Sequence, residues 1–583
     1  MSGDALPPAR WRWLLSWNGL GILVMTVAVT TSLWQVAQVR RSDYSDQRVV
    51  VRMLHWQLEA GYREALQLVI DDYNHMMVDR YQRGEIPKPV EVMQVAVSEK
   101  IYGQVVNTNL LAREAPDLIS MGDFALKSCG AQKAQHFLCL DELVRQPNPY
   151  NAPSYLAGTA IDPAIAAALP TLPWRDTFID GMRGAFDDDL QGFYAIPTNF
   201  YIPGRLSYNK DLLKAATGSE EPPQTFGQLL DICAQVKAYG ERQGRRIVPI
   251  AGTRANLVYV EYYLLPFLAS YRRSMDLNRD GMVSPMEGWA ALGSGAFNFH
   301  DKPFRELAEA SQALAAQFPP GFLALERDTG VYLYTQGEAA FHLSGSWDAG
   351  TLYHLTEGKF RMGIVPFPLP GPGERWGDPP KIAASEAGWV GGNLFGVYKY
   401  GHTAEAIDFL RYLTSWVQNQ RCNRACDWGP NVIGTSLEER MLAFAPRLEG
   451  LQQLSFWAPI GPIAQQVGSI YRGQMQALLS GEASIDQVID KVMAAYHDDA
   501  IGEPRIWAKA YEDQKTYMRA IERTLSVQAL VARLSGADRT EAERRYRTLL
   551  SNQVMTTNAE NLRLNWNQTI GTTAGKSFPE AAR

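Results

Sequence analysis

Cysteine and histidine are scarce in this chain, with five Cys and eight His among 583 residues, and the histidines are scattered. Five cysteines are too few for a disulfide scaffold. Neither an H-E-x-x-H helix nor a G-x-S-x-G elbow occurs, so the zinc-protease and serine-hydrolase motifs are missing. No sign of charge dominates: 56 basic and 62 acidic side chains leave a formal balance of −6, which speaks against a nucleic-acid footprint. Beyond the first forty residues there is no long apolar run, which excludes a polytopic membrane protein. With 46% apolar and 20% charged residues the chain has material for a packed core, so it is neither wholly disordered nor collagen-like. Repeat arrays and low-complexity stretches are absent as well.

What is present begins at the N-terminus. From Trp13 to Val39 no Asp, Glu, Lys or Arg occurs, and about 20 apolar residues suffice to cross a bilayer. Arg10 and Arg12 precede this run and Arg40 and Arg41 follow it, so flanking charge orients it only weakly. The run is longer than a signal-peptide core and no Ala-x-Ala site follows, so residues 1–41 read as an uncleaved anchor. No Cys stands just after it, which argues against a lipid anchor. The remainder is then expected in an oxidising, extracytoplasmic compartment.

The following segments alternate in period. VVVRMLHWQ reads as a strand, and GYREALQLVIDDYNHMM as a helix with a face at Ala65, Leu68, Val69, Asp72 and Met76. PVEVMQVAV is a second strand, IYGQVVNTNLLAREA a helix, and APDLISMGD a short buried strand ending at Gly122. This alternation predicts an α/β fold with right-handed crossovers and a parallel sheet, whose ligand edge would hold Trp56 with Gln57 and Gly122 with Asp123. Further on, FYAIPTNFYIPGRLSYNKDLLKAA offers extended runs around Pro197 and Pro203, and Thr225 is placed to N-cap the helix of PPQTFGQLLDICAQVKAYG. YTQGEAAFHLSGSWDAG, FRMGIVPFPLPGPGERWG and WVGGNLFGVYKY are strands, and TAEAIDFLRYLTSWVQNQ a helix.

Taken in this order, with REAPDLISMGD, YAIPTNFYIPGRLSYNKDLL and QMQALLSGEASIDQVIDKV, residues from about Val49 to Tyr496 resemble the family 1 extracellular solute-binding proteins of ABC importers, the sugar-binding group that includes maltose-binding protein. The resemblance implies a two-lobed, type II-like periplasmic-binding-protein fold with hinge strands, closing on a carbohydrate or related polar solute for delivery to permease subunits. It places a first part of lobe 1 at 42–204, lobe 2 at 205–370, returns at 385–440 and 450–500, and a C-terminal helical extension and tail at 501–583. A sugar-binding cleft needs aromatic platforms together with groups that satisfy hydroxyls. Aromatic candidates at cleft-facing loops are Trp56, Tyr201, Trp347 in the GSW turn, Trp389 and Trp428; polar candidates are Gln57, Glu59, Asp123, Asn199, Glu261 and Asn393. No catalytic role is implied.

One motif lies outside that pattern. Residues 276–287 read DLNRDGMVSPME, the spacing of an EF-hand calcium loop. Asp276, Asn278, Asp280, the Met282 carbonyl, Ser284 through water and bidentate Glu287 would bind Ca2+ as a structural brace, with Gly281 at the sharp turn. Other signals are weaker. GTTAGKS at 571–577 falls one residue short of a phosphate-binding loop. Asp187, Asp188 and Asp189 read as a solvated turn. Cys129 and Cys139 bracket a loop and could be bridged, Cys422 and Cys426 could pair only across an irregular turn, and Cys233 reads as a buried helix thiol. Residues 505–550 carry ten basic and six acidic side chains at helical spacing and suggest amphipathic helices packing back on a lobe. Two other readings stay open: an extracytoplasmic glycoside hydrolase using two carboxylates in an aromatic cleft, and a sensor-type binding protein.

Overall fold

The computed structural model describes residues 47–56, 61–121, 130–187, 190, 192–275, 291, 292, 295, 297–383, 385, 386, 391–449, 465–498, 500–502, 526, 527, 530 and 534. The anchor segment, the calcium loop and most of the C-terminal extension lie outside the described residues. Among the described residues no helix is long and apolar enough to cross a membrane.

Two sheets organise the chain. The first has the order β2-β1-β3-β11-β6, formed by β1 (Val49–His55), β2 (Val90–Ala96), β3 (Leu118–Ser120), β6 (Ile196–Pro197) and β11 (Leu394–Val397). Strands β1, β2 and β3 are parallel, and β11 runs antiparallel to both β3 and β6. Between β3 and β6 a separate antiparallel pair, β4 (Phe186–Asp187) and β5 (Gly192–Phe193), forms a short ribbon. Helix α1 (Tyr62–Gln82) returns the chain from β1 to β2, and α2 (Glu99–Ala112) from β2 to β3. Successive β1 side chains point to opposite faces: Val51 and Met53 join the core under α1, while Leu54 joins Tyr102, Val106 and Leu110 of α2.

The second sheet has the order β10-β7-β9-β8, from β7 (Arg205–Asn209), β8 (Val248–Ile250), β9 (Ala339–Ser344) and β10 (Met362–Pro366). Its core gathers Leu206 and Phe341 with helices α3 (Lys210–Thr217), α4 (Phe226–Arg242), α5 (Leu257–Leu264) and α6 (Lys302–Ala315). Helices α7 (Arg327–Thr335) and α8 (Ser346–Thr356) flank β9. The chain then returns to the first lobe through β11, α9 (Thr403–Leu413) and α10 (Trp416–Ala425), and to the second through α11 (Gln465–Leu479) and α12 (Ile485–His497). Three crossings therefore join the lobes, their described residues being 198–204 in the first, 367–383, 385, 386 and 391–393 in the second and 426–449 in the third.

Several local expectations hold in atomic detail. Thr225 N-caps α4, its hydroxyl accepting from the Gln228 amide, and Cys233 is fully buried on that helix. Others change. The buried face of α1 is Tyr62, Ala65, Leu66, Val69, Ile70, Tyr73 and Met77, whereas Leu68 is exposed and Asp72 pairs with Arg421 at the surface. The segment from Thr403 is two helices, broken where Ser415 caps α10 by accepting from the Gln418 amide. Asp187 is no solvated residue: its carboxylate accepts from Lys133 at 2.6 Å and both side chains are largely buried. Cys422, on α10, and Cys426, the C-cap that follows it, are separate buried thiols, Cys426 Sγ donating to the Cys422 carbonyl at 3.3 Å.

Candidate functional site

The aromatic side chains nearest the crossings form a run from lobe 1 to lobe 2. Tyr62 opens α1 directly after Gly61, whose φ of +96° suits glycine, and its ring stacks on Trp428 with centroids 4.3 Å apart and planes 17° from parallel. Trp428 meets the edge of Tyr201 at 5.2 Å, and Tyr201 meets the edge of Trp347 at 6.0 Å. Trp428 and Tyr62 are buried, whereas Tyr201 and Trp347 are half-buried. Trp347 sits in the first turn of α8, not in a loop, and its indole folds back over Gly345 so closely that a Cβ there would come within 2.3 Å of the ring. Trp56, half-buried just beyond β1, packs edge-on to Tyr102 at 5.0 Å.

Behind this run a set of buried amides ties the crossings to lobe 1. Asn199 Oδ1 accepts from the Asn393 amide at 2.7 Å, and the Asn199 carbonyl accepts from Gly392 and from Asn431 Nδ2. Asn393 Nδ2 donates to the Tyr62 phenol at 3.0 Å, and its Oδ1 accepts from the Ser120 hydroxyl at 2.6 Å. Asn419 and Asn423 both donate to the Thr198 carbonyl. Gly392 has no room for a side chain, since a Cβ would lie 2.6 Å from Asn199 Oδ1 and 2.8 Å from the Tyr201 amide nitrogen. Asn199 Nδ2 is buried without a partner, and so is Nδ1 of His55.

His55 ends β1 and meets the Tyr62 ring edge-on at 5.5 Å. Its Nε2 lies 3.1 Å from Gln94 Oε1, and Gln94 Nε2 already donates to the Arg63 carbonyl and Gln67, which leaves Oε1 as acceptor and puts the histidine proton on Nε2. Burial pushes the imidazole pKa down to about 4, so the ring is neutral at neutral pH. Burial likewise holds the Tyr62 phenol protonated, well above its ordinary value.

On the lobe 2 side the first crossing is fixed by Ser346, whose hydroxyl accepts from the Ile202 amide at 3.0 Å and whose amide donates to the Ile202 carbonyl at 2.9 Å. Arg205, first residue of β7, reaches Glu386 of the second crossing and the Ala443 carbonyl of the third. Glu386 in turn accepts from the Arg447 amide at 2.8 Å.

The structure thus brings Tyr201, Trp347, Trp428, Asn199 and Asn393 together, with Trp56 on lobe 1 as a separate aromatic surface. Both asparagines are buried and committed to the crossings. Glu261 lies on α5; Gln57, Glu59, Asp123 and Trp389 lie outside the described residues, as do Asp276, Asn278, Asp280, Met282, Ser284 and Glu287. Among the described residues no group of three His, Cys, Asp or Glu side chains is placed to hold a metal. Sequence reasoning missed Tyr62, His55 and the Arg205–Glu386 pair. Of these only Arg205 carried a signal, a lone charge entering the extended run of the PGRLSYN segment.

Residues 146–422, which contain the first two crossings, match the family described as bacterial extracellular solute-binding protein. No curated protein matches the chain. Among solved structures, the apo-form of RafE from Streptococcus pneumoniae is similar at 13% identity, with 77% of this chain and 97% of that one covered and a TM-score of 0.50. A chitin oligosaccharide binding protein is 16% identical over 76% of this chain and 97% of its own, with a TM-score of 0.49. A probable secreted solute-binding lipoprotein from Streptomyces coelicolor is 16% identical over 78% and 100%, with a TM-score of 0.47. At 13% identity the likeness to RafE is one of fold.

Proposed function

We propose that this chain, whose residues 146–422 match the bacterial extracellular solute-binding family, captures a carbohydrate between its lobes and delivers it to the permease of an ABC importer, without catalysis of its own. The observation that carries the reading is the aromatic run Tyr62, Trp428, Tyr201, Trp347, which leads from one lobe to the other along the crossings. Half-buried rings such as Tyr201 and Trp347 suit the apolar faces of a pyranose. Two polar groups meet the run at Tyr62, Asn393 by donating to its phenol and His55, a neutral imidazole, by an edge-on ring contact, and Ser120 and Asn199 hold Asn393 in place. The runner-up, a glycoside hydrolase, needs a carboxylate pair that the run itself does not supply.

The uncharged run at 13–39 supports an extracytoplasmic body tethered to the membrane, and the 276–287 loop supports a bound Ca2+ as a brace in lobe 2. The test is calorimetric titration of the purified chain with mono- and oligosaccharides, with product analysis of each binder. Saturable heat with the sugar recovered intact is the expected result; released product would overturn the reading in favour of the hydrolase, and silence toward every sugar would overturn the substrate class.

A further inference from the structure

We infer that the edge of lobe 1 opposite its ligand edge is a bilayer-contacting surface, seating the tethered protein on the lipid headgroup region; this rests on reading residues 13–39 as an anchor. Topology assembles the edge. β1 and β2 start at this end in register, Val49 beside Val90, and β11 ends toward it four residues further in, Val397 beside Leu118, which itself pairs with Met53. The loops at 83–89, 113–117 and 398–402 and the chain entering at Arg48 therefore share one rim.

That rim displays large apolar side chains to solvent. Leu111, at the end of α2, is 84% exposed, Tyr400 is 61% exposed, and Tyr81, at the end of α1, is 46% exposed. Arg83, which pairs with Glu85 at 2.6 Å, Lys88 and Arg113, followed by exposed Glu114, lie among them, and the Lys399 ammonium lies 5.2 Å over the Tyr400 ring while donating to the Ala134 carbonyl. Exposed Leu and Tyr interleaved with Lys and Arg is the composition of a headgroup-level surface: the rings and the leucine enter the acyl boundary while the cations stay at the phosphates.

Chain length supplies the independent argument. Residues 40–48 are nine, and nine extended residues span at most about 32 Å. The first residue of β1 is therefore never farther than that from the end of the anchor, and this rim is the part of the folded body held nearest the membrane. The opposite ends of β1 and β3, beside Trp56 and the crossings, are turned toward the aqueous side.

The experiment uses the full chain in phosphatidylethanolamine–phosphatidylglycerol vesicles and in detergent, comparing backbone amide exchange. Several-fold slower exchange in vesicles, confined to segments 81–89, 110–114 and 398–402 and lost in a Leu111→Ser, Tyr400→Ser variant that still binds ligand, is expected. Unchanged exchange in those segments while the chain stays with the vesicles through an alkaline wash overturns the surface but leaves the anchor. Chain that washes off overturns the anchor and the inference with it. Slowing that appears only after membrane proteins are added assigns the rim to a protein partner and overturns the lipid reading.

Discussion

Arg205 and Glu386 meet in a two-point ion pair, Nη1 to Oε1 at 2.6 Å and Nη2 to Oε2 at 3.1 Å, with both side chains more than nine-tenths buried. The two residues belong to different crossings, and the pair is completed by the third: Arg205 Nε donates to the Ala443 carbonyl at 2.6 Å, and the Arg447 amide donates to Glu386. The backbone joins in, since Glu386 N donates to the Arg447 carbonyl. All three connections between the lobes are thus locked together on the lobe 2 side, while Asn199, Asn393 and Asn431 lock them on the lobe 1 side. In the first crossing Phe200 and Tyr201 lie between these two locks, so a rotation of one lobe against the other would have to be absorbed there.

Removing one member of this pair leaves a buried charge uncompensated, which costs on the order of 3–5 kcal/mol. Glu386→Gln and Arg205→Met are each expected to lower unfolding free energy by about that amount. The double variant Arg205→Met, Glu386→Leu should recover most of the loss, because an apolar pair of similar size carries no stranded charge. Urea unfolding of the four proteins reads this directly, and single variants that unfold within 1 kcal/mol of the parent would show that the pair holds nothing.

The two half-buried rings of the aromatic run are expected to act on affinity and not on folding. Tyr201→Ala and Trp347→Ala should each weaken sugar binding by about 1–3 kcal/mol, roughly fivefold to 150-fold in Kd. Trp428→Ala should instead lower stability by about 3–5 kcal/mol, since the indole is buried against Tyr62 and Tyr201. Titration calorimetry beside thermal unfolding separates the two classes, and equal affinity for Trp347→Ala and parent would remove that ring from the site.

Calcium is a further expectation. With the ion at 100 times its Kd, binding to the folded chain alone adds about 2.7 kcal/mol. A chelator should therefore lower the thermal midpoint, and Glu287→Gln, which removes the bidentate ligand of the 276–287 loop, should make the protein indifferent to chelator. A midpoint equal with and without chelator in the parent would reduce the loop to an acidic turn.

Much of the architecture was legible because it is written in local period and in caps. The strand of VVVRMLHWQ, the α4 cap at Thr225 and the buried Cys233 each depend on neighbours within a few positions. The errors have the opposite origin. On α1 two stripes one residue apart both carry helical spacing, and packing against the sheet, α9 and α10 chooses Leu66, Ile70 and Tyr73, the last against Phe409 and Tyr412, over Leu68 and Asp72. Trp347 looked like a turn residue because Gly-Ser-Trp is turn chemistry, yet the same residues open α8. Asn199 and Asn393 were singled out as polar cleft candidates and not as a buried pair, because their bond spans 194 positions that no local pattern records. The Arg205–Glu386 pair, 181 positions apart, was invisible for the same reason.

His55 makes the last expectation one of pH. Its pKa is about 4 in the folded chain against 6.5 unfolded, because burial disfavours the imidazolium. Above pH 6.5 both states are neutral and the histidine makes no pH-dependent demand. As pH falls from 6.5 toward 4 the unfolded chain takes up a proton that the folded chain refuses, so stability falls with acid across that window, by roughly 3 kcal/mol at its lower end. His55→Gln keeps a donor for Gln94 Oε1 and carries no titratable ring. Its unfolding free energy should therefore change less between pH 7 and pH 4.5 than that of the parent, whatever its absolute value. Because the folded chain keeps this ring neutral until about pH 4, the parent's sugar affinity should hold across the same interval while its stability falls. Parallel unfolding profiles for parent and variant would show that the imidazole titrates alike in the folded and unfolded chains and is not held neutral by burial.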